Sequence, residues 1–118
     1  MTSWRPETEE EIWDKINRAW EKMSLHQRDV WEVIKIDPVK WEEKSYGEMG
    51  GGFWVVAVIG STVLWYNDIE HGFNYSKWTT PGLIDEYWCN QSQLQDVIPE
   101  GIGDVGSGGQ CGPPQSID

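Results

Sequence analysis

The stretch F-W-V-V-A-V-I-G-S-T-V-L-W-Y, residues 53–66, decides the fold. Phe53–Ile59 is dense in β-branched and aromatic side chains, which suit a pleated surface. Gly60 and Ser61 can make a tight two-residue turn, and residues 62–66 then return antiparallel. That register sets Val58 opposite Val63, Ala57 opposite Leu64 and Val56 opposite Trp65. Both faces are apolar at the hairpin centre, which makes the hairpin a central part of the sheet.

Toward the N-terminus, Gly50, Gly51 and Gly52 end a flexible loop over 47–52. They lack the G-x-x-x-x-G-K-[ST] pattern and precede a strand, so they do not read as a phosphate loop. Asp37 and Pro38 can open a short helix running through Trp41 and Lys44. Residues 30–36 are rich in β-branched side chains, which favours a strand; a continued helix is the alternative. Further back, Thr8 and Glu11 have capping-box spacing, and Glu9 and Glu10 suit the positive end of a helix. Ile12, Ile16, Ala19, Trp20 and Met23 recur at helical spacing, with Trp13 widening the stripe. An amphipathic helix over 9–23 follows. Ser24, with Gln27 three positions on, offers a second capping box.

Toward the C-terminus, residues 67–74 read as a loop or bulged connection, 75–78 as a short strand and 80–82 as a turn. Residues 83–88 form the expected last strand, alternating Ile84, Glu86 and Trp88 with Leu83, Asp85 and Tyr87. Asn90 or Ser92 can cap a final helix holding Leu94, Val97 and Ile98, which Pro99 stops. Residues 100–118 are rich in glycine, serine and proline and read as a flexible tail. The expected architecture is α+β: one domain over 1–99, with the leading helix packing Ile12, Ile16, Trp20 and Met23 on an antiparallel sheet centred on 53–66.

Twenty acidic residues against nine basic ones give the 118-residue chain a formal charge of −11. Such a surface repels nucleic-acid phosphates and anionic lipid and attracts basic proteins. The same acidity also serves solubility alone, which is the reading for a structural domain. Nine tryptophans are more than a domain of this size can hide completely, and exposed indoles favour interfaces. Cys89 and Cys111 form neither a disulfide framework nor a zinc motif. No basic–apolar leader opens the chain and no apolar run is long enough to span a membrane, so the expected compartment is the cytoplasm. The size and charge are similar to those of small bacterial immunity proteins and phage-encoded inhibitors, which neutralise basic targets. That likeness rests on composition and transfers no residue.

The densest chemical cluster is Asn67, Asp68, Glu70 and His71, between Tyr66 and Phe73. Asp68, Glu70 and His71 could serve a metal ion or a small enzyme, yet their spacing matches no metal motif. Asp85 and Glu86 are adjacent and point to opposite faces of a strand, His26 sits in a polar segment, and no G-x-S-x-G is present. These features point to a binding protein without cofactor or metal whose partner is a basic protein. The expected recognition surface is Tyr66, Asp68, Glu70, His71 and Phe73, with the two carboxylates at a loop tip between aromatics.

Overall fold

A computed structural model describes residues 5–43 and 51–101. The Thr8 hydroxyl accepts the Glu11 N–H at 3.2 Å, and the Glu11 carboxylate accepts the Thr8 N–H at 2.8 Å. This reciprocal box opens helix α1, Glu9–Lys22. Arg5 also donates to Glu11 at 3.0 Å. The Arg5 hydrogen bond, helped by the Thr8 N–H, holds the Glu11 carboxyl down at about 2. The ionised cap therefore supports the fold at neutral pH, and its contribution is lost as pH falls toward that value. Met23 turns extended and ends α1. Ser24 and Gln27 then repeat the box at 3.0 and 2.9 Å, opening α2, Leu25–Ile34.

The ambiguous 30–36 segment is divided. Val30, Trp31 and Ile34 line the buried face of α2, and strand β1 starts at Lys35 and runs to Glu43. The short helix expected after Pro38 is therefore corrected to strand as far as Glu43; Lys44 lies outside the described residues. Pairing with β2 overrides the local helix signal. Pro38 sits where the β1–β2 register slips, between Lys35 and Val39, so its missing N–H interrupts no regular rung.

Strands β2 (Phe53–Ile59), β3 (Thr62–Asn67), β4 (Gly72–Lys77) and β5 (Leu83–Ile84) complete a five-stranded sheet in the order β4-β3-β2-β1-β5. All neighbours are antiparallel except β1 and β5. The hairpin register holds for Val58–Val63 and Ala57–Leu64, but Val55, rather than Val56, pairs with Trp65. A bulge at Val56 accounts for the difference. It turns Val56 and Ala57 toward the same face, so the strand feeds two cores without losing its ladder.

The first core lies under the helices, where Ile12, Ile16, Ala19 and Met23 meet Val56, Ala57 and Leu64. Trp20 packs at its margin rather than at its centre, with the Arg28 guanidinium 5.0 Å from its ring. The opposite face holds Phe53, Val55, Val63 and Trp65, covered by Ile84, Tyr87 and Trp88. Phe53 and Trp65 stand 4.9 Å apart, and the Trp65 indole donates to the Ser76 hydroxyl at 2.8 Å.

The alternating strand expected over 83–88 is corrected: only Leu83 and Ile84 form a strand, Tyr87 makes a single β-bridge, and Ile84, Tyr87 and Trp88 are all buried. Beyond Ile84 the chain crosses the sheet face, and side chains satisfy its backbone, as where Ser76 donates to the Glu86 carbonyl at 2.8 Å. The 67–74 loop is corrected to a tight turn, because β4 begins at Gly72 and carries Asn74 and Ser76 as buried polar residues. The final helix, α3 (Leu94–Val97), has Gln93 at its N-cap without a side-chain cap bond. Ser92 instead bridges to Phe73, closing over the β4 edge. Of the 100–118 tail only Glu100 and Gly101 are described, and the Glu100 carboxylate accepts from the Ser24 hydroxyl at 2.9 Å. Among the described residues no helix is long and apolar enough to cross a membrane.

Candidate functional site

The β3–β4 turn and its flanking strands contain the residues singled out by sequence, and bring Tyr66, His71 and Phe73 to one cleft while turning Asp68 away from it. Asn67 organises the turn: its side-chain oxygen accepts the Ile69 and Glu70 N–H groups at 3.0 and 3.1 Å. Its amide donates to the Trp88 carbonyl at 2.9 Å. Asp68 is 2% exposed and accepts the Glu7 N–H at 2.9 Å, so it anchors the segment leading into α1. Trp54 holds the same segment by donating to the Glu7 carbonyl at 2.7 Å. The expected tip with two exposed carboxylates is thus corrected: Asp68 faces inward and only Glu70 is partly exposed. Tyr66 and Phe73 pack ring to ring at 4.9 Å and are buried. Burial pushes the Tyr66 phenol up to about 12, with Glu7 and Asp68 adding to the effect, so it stays neutral at physiological pH. His71 is exposed and holds φ 65°, a left-handed conformation uncommon outside glycine.

Asp68→Ala is expected to lower stability by about 1–3 kcal/mol, because the Glu7 N–H loses its acceptor in a part-buried place. Urea melts of the variant check this, and a change within about 0.5 kcal/mol would deny Asp68 its anchoring role.

The α1 helix separates two unlike surfaces. At 3.6 residues per turn, Glu9, Trp13, Asn17 and Trp20 fall on one side of the buried row Ile12–Ile16–Ala19, and Lys15, Arg18 and Lys22 on the other. On the first side a groove of about 300 Å³ runs between α1, α2 and the start of β1, with Trp13, Trp20, Trp31 and Ile36 among its walls and Glu32 and Asp37 at its rim. It continues past Trp13 and Asn17 into a shallow depression bearing Glu9, Glu10 and Asp14. Trp13 is 38% exposed, and its indole donates to Glu9 at 3.2 Å. Five carboxylates thus border an aromatic surface, together with Lys35, which pairs with Glu32 at 2.8 Å. On the second side lies a cleft of about 320 Å³ lined by Lys15, Arg18 and Lys22, and Tyr66, His71 and Phe73 share it.

Among the described residues no three His, Cys, Asp or Glu side chains stand close enough to hold a metal ion. Asp85 accepts from the Thr79 hydroxyl at 3.1 Å and Glu86 from the Lys77 N–H at 2.9 Å, so each carboxylate serves a local structural bond. His26 lies on the surface 3.7 Å from Glu100, and Cys89 is a half-buried free thiol.

Sequence reasoning missed the groove as a site. The signal was present in Trp13, which falls at the border of the apolar stripe with acids before and after it. Its meaning depends on Trp31 and Ile36 arriving from α2 and β1, which no local pattern predicts. No protein-family model, curated protein or solved structure matches this chain.

Proposed function

We propose that this protein is a non-catalytic binding module that docks a basic protein on the aromatic, acid-bordered side of α1. The observation that carries this reading is the juxtaposition of exposed Trp13 and part-exposed Trp20 with Glu9, Glu10, Asp14, Glu32 and Asp37 around one groove. Indole faces attract Lys and Arg side chains, and a carboxylate border steers and orients a cationic partner. The net charge of −11 supports the same polarity of partner. A module of this kind acts by occupancy, in the manner of an immunity or inhibitor protein, with the groove covering the basic surface that its target uses.

Binding through this surface separates from folding. Trp13 contacts solvent and Asp14 pairs only with exposed Arg18 among the described residues, so Trp13→Ala with Asp14→Arg should keep the circular dichroism spectrum and move the melting midpoint by a few degrees at most. Affinity capture from cell extract with the native chain and this double variant side by side tests the reading. A basic protein retained by the native chain and lost from the variant supports it; equal recovery, or recovery of acidic proteins alone, contradicts it. An interfacial tryptophan of this type accounts for about 2 kcal/mol or more, a loss of at least tenfold in affinity.

A further inference from the structure

The cleft on the opposite side of α1 has the reverse electrostatic character. Its lining contains three cationic side chains, Lys15, Arg18 and Lys22, and not one carboxylate, in a chain with twenty acidic residues. The far wall adds neutral hydrogen-bonding side chains from Ser92, Gln93 and Gln95, and His71 stands at the rim. His71 occupies its place in a left-handed conformation that glycine would adopt without strain.

We propose that this cleft binds a small polyanion, specifically a group of two linked phosphates. Lys15 and Lys22 lie seven residues apart on α1, about 10 Å along the axis, with Arg18 between them. That spacing suits an extended anion better than a single phosphate, and the Arg18 guanidinium offers a planar fork for phosphate oxygens. The existing pairs do not block this use. Arg18 meets Asp14 at 2.9 Å with both side chains largely exposed, and Lys15 meets Glu7 at 3.3 Å while standing 5.1 Å from the Tyr66 ring. The exposed Arg18–Asp14 pair is weak and exchanges readily, whereas Glu7 is largely buried and stays beside Lys15, so Arg18 and Lys22 carry most of the contact to an anion. Lys22 has no ion pair among the described residues, and the neutral Tyr66 phenol adds no negative charge. The surrounding acidity lowers affinity for anions in general, so only a ligand that engages several of these cations at once gains enough to bind.

Isothermal titration with pyrophosphate and with ADP, at constant ionic strength set with sodium chloride, tests the proposal. Saturable one-to-one binding of pyrophosphate is expected. Equal affinity for ADP assigns recognition to the diphosphate alone, whereas tighter ADP binding adds the nucleoside; both support the site. An Arg18→Gln, Lys22→Gln double variant should weaken binding at least tenfold with an unchanged melting midpoint, because both side chains are exposed. His71→Gly should raise the melting midpoint and weaken binding several-fold, a combination that a purely structural residue would not give. Absence of saturable binding by the native chain, or native affinity in the double variant, overturns the proposal.

Discussion

Gly72→Ala is expected to cost about 3 kcal/mol or more, although the substitution adds one methyl group to a strand. A Cβ at this position would overlap the Asn90 carbonyl and the Gln91 backbone. Both belong to the segment that closes over β4, where Asn74 exchanges bonds with Asn90 at 3.1 and 3.0 Å. Backbone cannot swing aside as a flexible side chain can. The substitution therefore either pries residues 90–92 from the sheet or distorts β4 beside the turn. Loss of the Phe73–Ser92 bridge should appear as fast hydrogen exchange at the Phe73 N–H, which donates to Ser92 at 2.9 Å in the intact protein. Gly60→Ala is the matched control, since a Cβ there meets nothing and only the positive φ of 56° is strained. Its cost should stay near 1–2 kcal/mol. Equal costs for the two substitutions would mean that the 90–92 segment does not press on β4.

Trp65→Ala should be the most damaging single truncation, at about 3–5 kcal/mol. Trp65 is fully buried on the face of the sheet away from the helices, between Phe53 at 4.9 Å and Tyr87 at 6.1 Å. Its removal leaves a large void and also frees the Ser76 hydroxyl from one of its bonds. A domain of this size has about 5–15 kcal/mol in hand, so the variant should be partly unfolded near its working temperature. Guanidinium titration followed by far-ultraviolet circular dichroism measures the change. A loss below about 1 kcal/mol would be incompatible with the second core.

The fold was legible where the determinants are local. Both capping boxes, the stripe from Ile12 to Met23 and the 53–59 and 62–66 strands each satisfy a short-range rule, and all formed. Errors cluster where a distant segment supplies the deciding interaction. The extension of β4 over Gly72 and Phe73 was hidden because Asn74 and Ser76 look like surface residues, whereas Asn90, Trp65 and Glu86 satisfy them inside. Residues 83–88 alternate like a strand in sequence, whereas the packing of Ile84, Tyr87 and Trp88 over the second core follows no sequence period. Asp68 looked like a loop-tip charge because its partner, the Glu7 N–H, lies 61 residues away. Trp20, read as central, sits at the border where the first core opens into the groove. The two sides of α1 were written in the sequence, in the placing of Glu9, Trp13 and Asn17 on one and of Lys15, Arg18 and Lys22, with Glu11 among them, on the other. It becomes a statement about function only when the structure shows a groove on one side and a cleft on the other.

Tryptophan itself supplies the most direct test of a basic partner docking beside α1. Each indole N–H gives its own signal in a nitrogen–proton correlation spectrum, and substitution of single tryptophans by phenylalanine assigns them. Titration with a nona-arginine peptide, the simplest cationic ligand, should shift the Trp13 and Trp20 indoles progressively. The buried Trp65 indole, bonded to Ser76, should stay in place, and added salt should reverse the shifts. Shifts confined to tryptophans outside the groove, or none at saturating peptide, would contradict the assignment of this surface to partner recognition.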